Sequence, residues 1–167
     1  MATSAVRQML EEVAWGQLDV LVLDLPPGTG DVVLTLLQRT PIAGAVIVST
    51  PQEMALADVR RGLAMFEKTR APILGVVENM AYFEAPGGAR THIFGEGGAK
   101  RIAAETGAPF LGEIPIEVSL RESCDAGVPL VVRAPEHPVS RRFLEIASAA
   151  LANIETMSKP APTIAVR

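Results

Sequence analysis

The chain has 167 residues, of which 49% are hydrophobic and 20% charged, and a net charge of −4; this composition excludes wholesale disorder and, with no long basic run, argues against a nucleic-acid surface. Aromatic residues make up only 4%, so the core must be built from Val, Ile, Leu and Ala, as in a parallel sheet covered by helices. The single cysteine, Cys124, cannot form an internal disulfide or supply a zinc or cluster site within one chain, and it fits a reducing cytoplasm; no apolar stretch approaches membrane-spanning length.

The length suggests one domain. Residues 4–14 have helical spacing, with Val6, Met9, Leu10 and Val13 on one side, and Gly16 is a plausible stop. Residues 19–25, DVLVLDL, read as a strand apolar on both faces, followed by a PPGTGD loop at 26–31 and a short helix at 32–39. Residues 44–49 read as a second strand. Residues 53–69 read as a helix whose buried side is Met54, Leu56, Leu63, Met65 and Phe66. Residues 73–77 make a third strand ending in Glu78-Asn79-Met80, and 81–98 read as irregular, with five glycines between 84 and 98. A helix at 98–106 is capped by Gly107, a short strand follows at 109–114, and helices are predicted at 117–125 and 136–153. The remainder, 154–167, reads as a frayed tail.

Strands alternate with helices, which predicts an α/β fold with a mostly parallel sheet flanked by helices on both faces. Ligands of such folds sit at the C-terminal ends of the strands. The segments with chemical character fall there, at 24–31, 50–52, 78–80 and 115–117. In Asp24-Leu25-Pro26-Pro27-Gly28-Thr29-Gly30-Asp31 a carboxylate ends an apolar strand. Proline then removes backbone donors, and glycine lets N–H groups approach an anion closely. That pattern suits a Mg²⁺-associated carboxylate beside a phosphate-sensing turn, and equally a plain strand end.

LDVLVLDLPPGTGDVVLTLLQ at 18–38 resembles the Mrp (ApbC-like) family of iron–sulfur cluster carrier P-loop ATPases, relatives of MinD and ParA. TPQ at 50–52, GVVENM at 75–80, THIFGEGGAK at 91–100, FLGEIPI at 110–116 and RESCDAGVPLVV at 121–132 continue it in order, over about residues 3–150. The resemblance implies a MinD/ParA-like P-loop NTPase fold, ATP and Mg²⁺ as cofactors, and a homodimer that serves apo iron–sulfur proteins without nucleic acid or membrane. It implies that Asp24 is the Walker B carboxylate, touching Mg²⁺ indirectly, and that Gly28 and Gly30 lie in the switch that senses the γ-phosphate. Asn79 would read the adenine, since a carboxamide offers a donor and an acceptor in one plane. Pro115 and Glu117 would flank the base, although the family pattern favours Asp at 117.

Two expected features are missing from these 167 residues. No G-x-x-x-x-G-K-[ST] occurs; the glycine clusters GGAR at 87–90 and GEGGAK at 95–100 have the wrong spacing. The resemblance therefore implies that 1–153 is the C-terminal part of a P-loop NTPase domain, truncated at its N-terminus. It also implies that this part alone hydrolyses little or no ATP. The family's P-loop strand would lie beside the Walker B strand, so 19–24 is expected to have an unpaired edge. The family's Cys-x-x-Cys, which holds a bridging [4Fe–4S] cluster, is also missing. Phe83-Glu84-Ala85-Pro86-Gly87-Gly88-Ala89 stands there, with Ala85 at the first cysteine's place, so the chain has no cluster-ligand pair.

The other candidates read as structural. Cys124 is expected to be a small buried residue, His92 a loop anchor, Arg60-Arg61 a solvated helix face and His137 a helix start. The leading function is ATP-dependent iron–sulfur cluster assembly or transfer; the alternative is a nucleotide-dependent dimerising regulatory module without a cluster.

Overall fold

The computed structural model describes residues 8–10, 12–25, 33–34, 36–37, 40 and 42–157. Its sheet is organised around β2 (Ile73–Glu84), a strand with five consecutive buried positions from Leu74 to Glu78. The first strand, β1 (Ala45–Ser49), lies parallel to it, from Ala45 opposite Ile73 to Ser49 opposite Glu78. On its other flank β4 (Phe110–Ile116) is also parallel, from Val76 opposite Phe110 to Phe83 opposite Ile116. A two-residue strand, β3 (Arg90–Thr91), pairs antiparallel with Phe83 and Glu84.

Helices cover both faces. On one lie α1 (Glu53–Thr69) and α2 (Gly98–Thr106): Leu56 and Leu63 meet Ile102, and Ala99 and Ala103 pack on Val76. On the other lie α3 (Val118–Asp125), α4 (Leu130–Arg133) and α5 (Pro138–Met157), where Leu130 and Val139 close over Val77 and Ile114. The Asn153 carboxamide of α5 donates to the Leu74 carbonyl at 2.7 Å, which fixes the distal half of the helix to the start of β2. Among the described residues no helix is long and apolar enough to cross a membrane.

The start of α2 depends on a residue far away in sequence. Its N-cap is Gly97, left-handed at φ 65, which has no side chain to cap with, and there is no acidic residue in the first turn. The first N–H groups of a helix have no intrahelical acceptor. Here Glu78 supplies one from the middle of β2, where its pairing with β1 ends: its carboxylate accepts from Gly97 N–H at 3.2 Å and from Ala99 N–H at 2.7 Å. Glu78 is 1% exposed, so both bonds are sheltered from water. The intervening Gly98 is required by space. A Cβ there would stand 2.5 Å from the Pro51 carbonyl oxygen and 2.7 Å from Leu56 Cδ1. The segment after β1, the middle of β2 and the start of α2 are thereby drawn together.

The sequence reading agrees with the structure for β1, α1, α2 and α3 and needs correction at the following places. Residues 19–25 are not a strand. They carry no regular secondary structure and are exposed up to Asp24, with Val22 84% exposed and only Leu25 packing inward, toward Val33 and Phe66. A strand exists by its ladder, and none of the described strands pairs with this segment. The stretch taken as irregular from residue 81 is the second half of β2 as far as Glu84, held by its pairing with β3. The fourth strand continues through Pro115 to Ile116, with Pro115 opposite the register shift between Asn79 and Phe83, where its lost donor does no harm. Of the N-terminal helix at 4–14 only 8–10 are described as helical, whereas 12–14 are not; at 32–39 the described residues 33–34 and 36–37 are helical. The last helix runs to Met157, four residues past its expected end, and 158–167 lie outside the described residues. Met54 is 85% exposed and does not join the buried side of α1.

Replacing Glu78 by Ala leaves two sheltered N–H groups without an acceptor, and the loss of stability is expected to be about 3 kcal/mol. Glu78→Gln keeps one acceptor oxygen but turns an NH₂ toward the other N–H, and should cost roughly half as much. Thermal melts of the two variants against the parent chain check this; an unchanged melting temperature for Glu78→Ala would show that the contact is dispensable.

Candidate functional site

The ends of β1 and β4 meet the middle of β2 at one edge of the parallel ladder, where β2 runs on into its hairpin with β3. Ser49 of β1 lies opposite Glu78 of β2, and Asn79 lies opposite Ile114 of β4, so residues 50–52, 78–80 and 115–117 open in the same direction. This is the C-terminal edge of the parallel strands, where α/β folds bind ligands.

Asn79 is half-buried, and its Oδ1 accepts from the Met80 N–H at 2.9 Å. That bond holds Met80 at φ 55, a left-handed conformation that non-glycine residues seldom adopt. One lone pair of the carboxamide oxygen is thus engaged by the backbone, while the NH₂ group donates to no described residue and remains as a donor at the edge. Just beyond, the β2–β3 hairpin carries Arg90 over the Tyr82 ring at 4.3 Å and paired with Glu84 at 3.0 Å. His92 Nδ1 meets the Ala81 carbonyl at 3.1 Å, the loop-anchoring role expected of it. The hairpin tip is closed by Ala85 N–H donating to Ala89 O and Gly88 N–H to Ala85 O, both at 2.9 Å.

Pro115 is buried inside β4, and Glu117 follows as the N-cap of α3. The Glu117 Oε1 atom accepts twice from Ser119, from the backbone N–H at 3.0 Å and from the hydroxyl at 2.9 Å. The Ser119 N–H holds the Glu117 carboxyl below the usual carboxylate range; burial opposes it, and the Ser119 hydroxyl adds to it. His137 caps α5 from the other side: its Nδ1 accepts from Val139 N–H at 3.2 Å, and its Nε2 lies 3.4 Å from Ser119 Oγ.

The edge therefore brings together Asn79, Pro115 and Glu117 among the residues singled out from the sequence. Asp24 lies in the exposed extended segment and does not end a buried strand, because no described strand pairs with residues 19–25. Gly28 and Gly30 lie outside the described residues. Cys124 is exposed, contrary to expectation; the residue turned inward from α3 is Ser123, whose hydroxyl donates to the Val128 carbonyl. Arg60 and Arg61 are solvated, as expected, and pair with neighbouring carboxylates on the surface. Among the described residues no three His, Cys, Asp or Glu side chains cluster to hold a metal ion. Sequence reasoning missed Glu78 and Ser119. The available signal for Glu78 was a carboxylate at a strand end together with a later helix that has no capping side chain of its own.

A family model described as the NUBPL iron-transfer P-loop NTPase of the ParA group matches residues 1–151. The iron–sulfur cluster transfer protein NUBPL of Dictyostelium discoideum is 50% identical over 159 residues, covering 95% of this chain and 49% of that protein. The iron–sulfur cluster carrier protein of Haemophilus influenzae is 47% identical, over 88% of this chain and 40% of its own length. The chain thus spans about half the length of the curated relatives it matches. Among solved structures, the nucleotide-binding protein of Archaeoglobus fulgidus in complex with ADP is 48% identical, with a TM-score of 0.69 over 81% of this chain and 55% of that one. The cell division ATPase MinD of Pyrococcus furiosus, at 20% identity and a TM-score of 0.64, shares the fold, which is that of MinD/ParA-like P-loop NTPases.

Since folding depresses the Glu117 carboxyl, its contribution to stability is present above the ordinary carboxylate range and is lost as pH falls through the folded-state value. Glu117→Gln should therefore destabilise the chain by about 1 kcal/mol near pH 7, the size of a helix N-cap. The difference from the parent chain should vanish in acid. Urea melts of both proteins across pH 2 to 7 test this; a pH-independent difference would count against the ionised cap.

Proposed function

The chain belongs to the NUBPL iron-transfer P-loop NTPase family, and on that premise we propose that it is the base-reading and switch-bearing part of an ATP-dependent iron–sulfur cluster carrier that works as a homodimer in the cytoplasm. Asn79, with Pro115 and Glu117, takes the adenine end of the nucleotide. Asp24 would be the carboxylate that associates indirectly with Mg²⁺, and Gly28 and Gly30 would lie in the switch that senses the γ-phosphate. Residues 1–153 act as the C-terminal part of the NTPase domain. The cluster is cargo, delivered to apo iron–sulfur proteins. The observation that carries this reading is the single edge onto which the ends of β1 and β4 and residues 78–80 of β2 converge. It is supported by the 48% identity to a structure whose described ligand is ADP.

The phosphate end needs more than these residues provide. Most of the positioning in phosphoryl transfer comes from the glycine-rich loop and its lysine, and the 167 residues contain no such motif. This chain by itself is accordingly expected to show no ATPase activity above background. In an intact protein that carries these residues together with a P-loop, Asp24→Asn should lower hydrolysis by at least about tenfold while leaving the fold in place, because charge toward Mg²⁺ is lost and shape is kept. Steady-state phosphate release with circular dichroism decides it. Activity within a few-fold of the parent, with normal Mg²⁺ dependence, would return Asp24 to a plain chain position.

One observation favours the second reading, a nucleotide-switched dimerising module without cargo. Cluster iron is held by thiolates, the chain's one thiol is Cys124, and the hairpin tip at 85–89 satisfies its own backbone without any. Anaerobic reconstitution followed by iron and sulfide assay separates the two. Retention of both elements in stoichiometric amount supports the carrier, and a protein stripped of both by desalting supports the regulatory module.

A further inference from the structure

Glu117, Ser119 and His137 form a directional chain of hydrogen bonds across two helix starts. The Val139 N–H donates to Nδ1 of His137, so in the neutral imidazole the ring proton sits on Nε2 and points to Ser119 Oγ. The Ser119 hydroxyl, receiving there, donates its own proton to Glu117 Oε1, which also takes the Ser119 N–H. Every donor and acceptor along the path has one role. The result is a carboxylate with Oε1 doubly occupied by Ser119; the Val118 N–H adds only weakly to the hold on the carboxyl, and Oε2 accepts no full hydrogen bond from a described residue.

A carboxylate with both oxygens available suits guanine, whose Watson–Crick edge offers two neighbouring donors. A carboxylate with one available oxygen suits adenine, which offers a single amine beside a ring-nitrogen acceptor. The adjoining strand end has the complementary restriction. The Asn79 oxygen is held by Met80 N–H, which leaves the carboxamide as a donor for a ring nitrogen. The edge thus presents one acceptor and one donor, and both restrictions arise from bonds internal to the protein.

We propose that Ser119 and His137 are positioning residues that occupy one oxygen of Glu117 and so make this edge select adenine over guanine. The inference rests on the reading of the edge as the base end of a nucleotide site, and goes beyond it by assigning the selection to two residues that need not touch the base. Ser119→Ala removes the hydroxyl donor and loosens Oε1. His137→Asn keeps a good cap on α5 but removes the ring donor to Ser119.

The experiment uses the 167-residue chain and two measurements. The first follows the Glu117 carboxyl carbon by NMR through an acid titration. Its midpoint should rise toward the ordinary carboxylate range in Ser119→Ala and, by less, in His137→Asn. The second compares weak binding of AMP and GMP by ligand-observed NMR. The parent chain should prefer AMP, and the preference should fall by about fivefold in Ser119→Ala, the size of one hydrogen bond, with His137→Asn between. An unmoved carboxyl midpoint in Ser119→Ala overturns the proposed hold. A shifted midpoint with an unchanged AMP-to-GMP ratio overturns the selection while leaving the base site intact. Equal binding of AMP and GMP by the parent chain, or binding of neither, overturns the base-site reading and this inference with it, and the carboxyl titration still reports whether the hold exists.

Discussion

A single buried carboxylate organises the functional edge of this molecule. Glu78 ends the buried run of the central strand and is fastened to the first N–H groups of α2, a helix that has no capping residue of its own. Once that bond is made, the glycine-rich segment 95–98 has only one place to run, against Pro51 and Leu56. The strand end cannot move without carrying the helix, and Asn79, the next residue, inherits its position. A loop rich in glycine would otherwise cost considerable conformational entropy to order. Here a charge-assisted bond at the helix start offsets that cost and orders the loop beside the site.

The opposite side of the same edge is built in the same way from different residues. Glu117 caps α3, His137 caps α5, and Ser119 lies between them. In both places helix starts are satisfied by side chains from strands or connecting loops, Glu78 from β2, Glu117 just after β4 and His137 from the connection after α4. The groups that fix the fold therefore also stand at the proposed nucleotide edge. Family membership and the shared MinD/ParA-like fold agree with this placement, because nucleotide sites of open α/β sheets lie at this edge.

How far the sequence could be read depended on the range of the interactions involved. The 3.6-residue periodicity of 53–69 and the apolar run at 45–49 are local signals, and both elements appear as expected. The segment DVLVLDL has an equally clear local pattern, yet it is not a strand, since pairing is a property of two segments and the pattern records only one of them. The extension of β2 to Glu84 was hidden for the converse reason: Met80 breaks the pattern, and the partner is a pair of polar residues, Arg90 and Thr91. For the site, Asn79 and Glu117 were legible from motifs. Their hydrogen-bond partners were not, because Glu78 reaches across nineteen residues to Gly97 and His137 across eighteen to Ser119. Cys124 and Ser123 show the limit on a short helix, where the inward residue is decided by which side chain can reach the Val128 carbonyl.

The β2–β3 hairpin gives the chain an evolutionary freedom that the rest of the edge lacks. Its tip, 85–89, lies beyond the Glu78 fastening and closes on its own backbone hydrogen bonds. Its stem is held by the pairing of β2 with β3 and by the Glu84–Arg90 ion pair. Residues can be exchanged, inserted or lost at this tip without disturbing the strand ends or the helix starts that define the edge. Residues 95–99 have no such latitude, because spacing there is set by Glu78 and Pro51. A lineage can therefore gain or discard side chains at the tip while the strand ends and helix starts behind it stay unchanged, so the two regions are free to drift apart under selection.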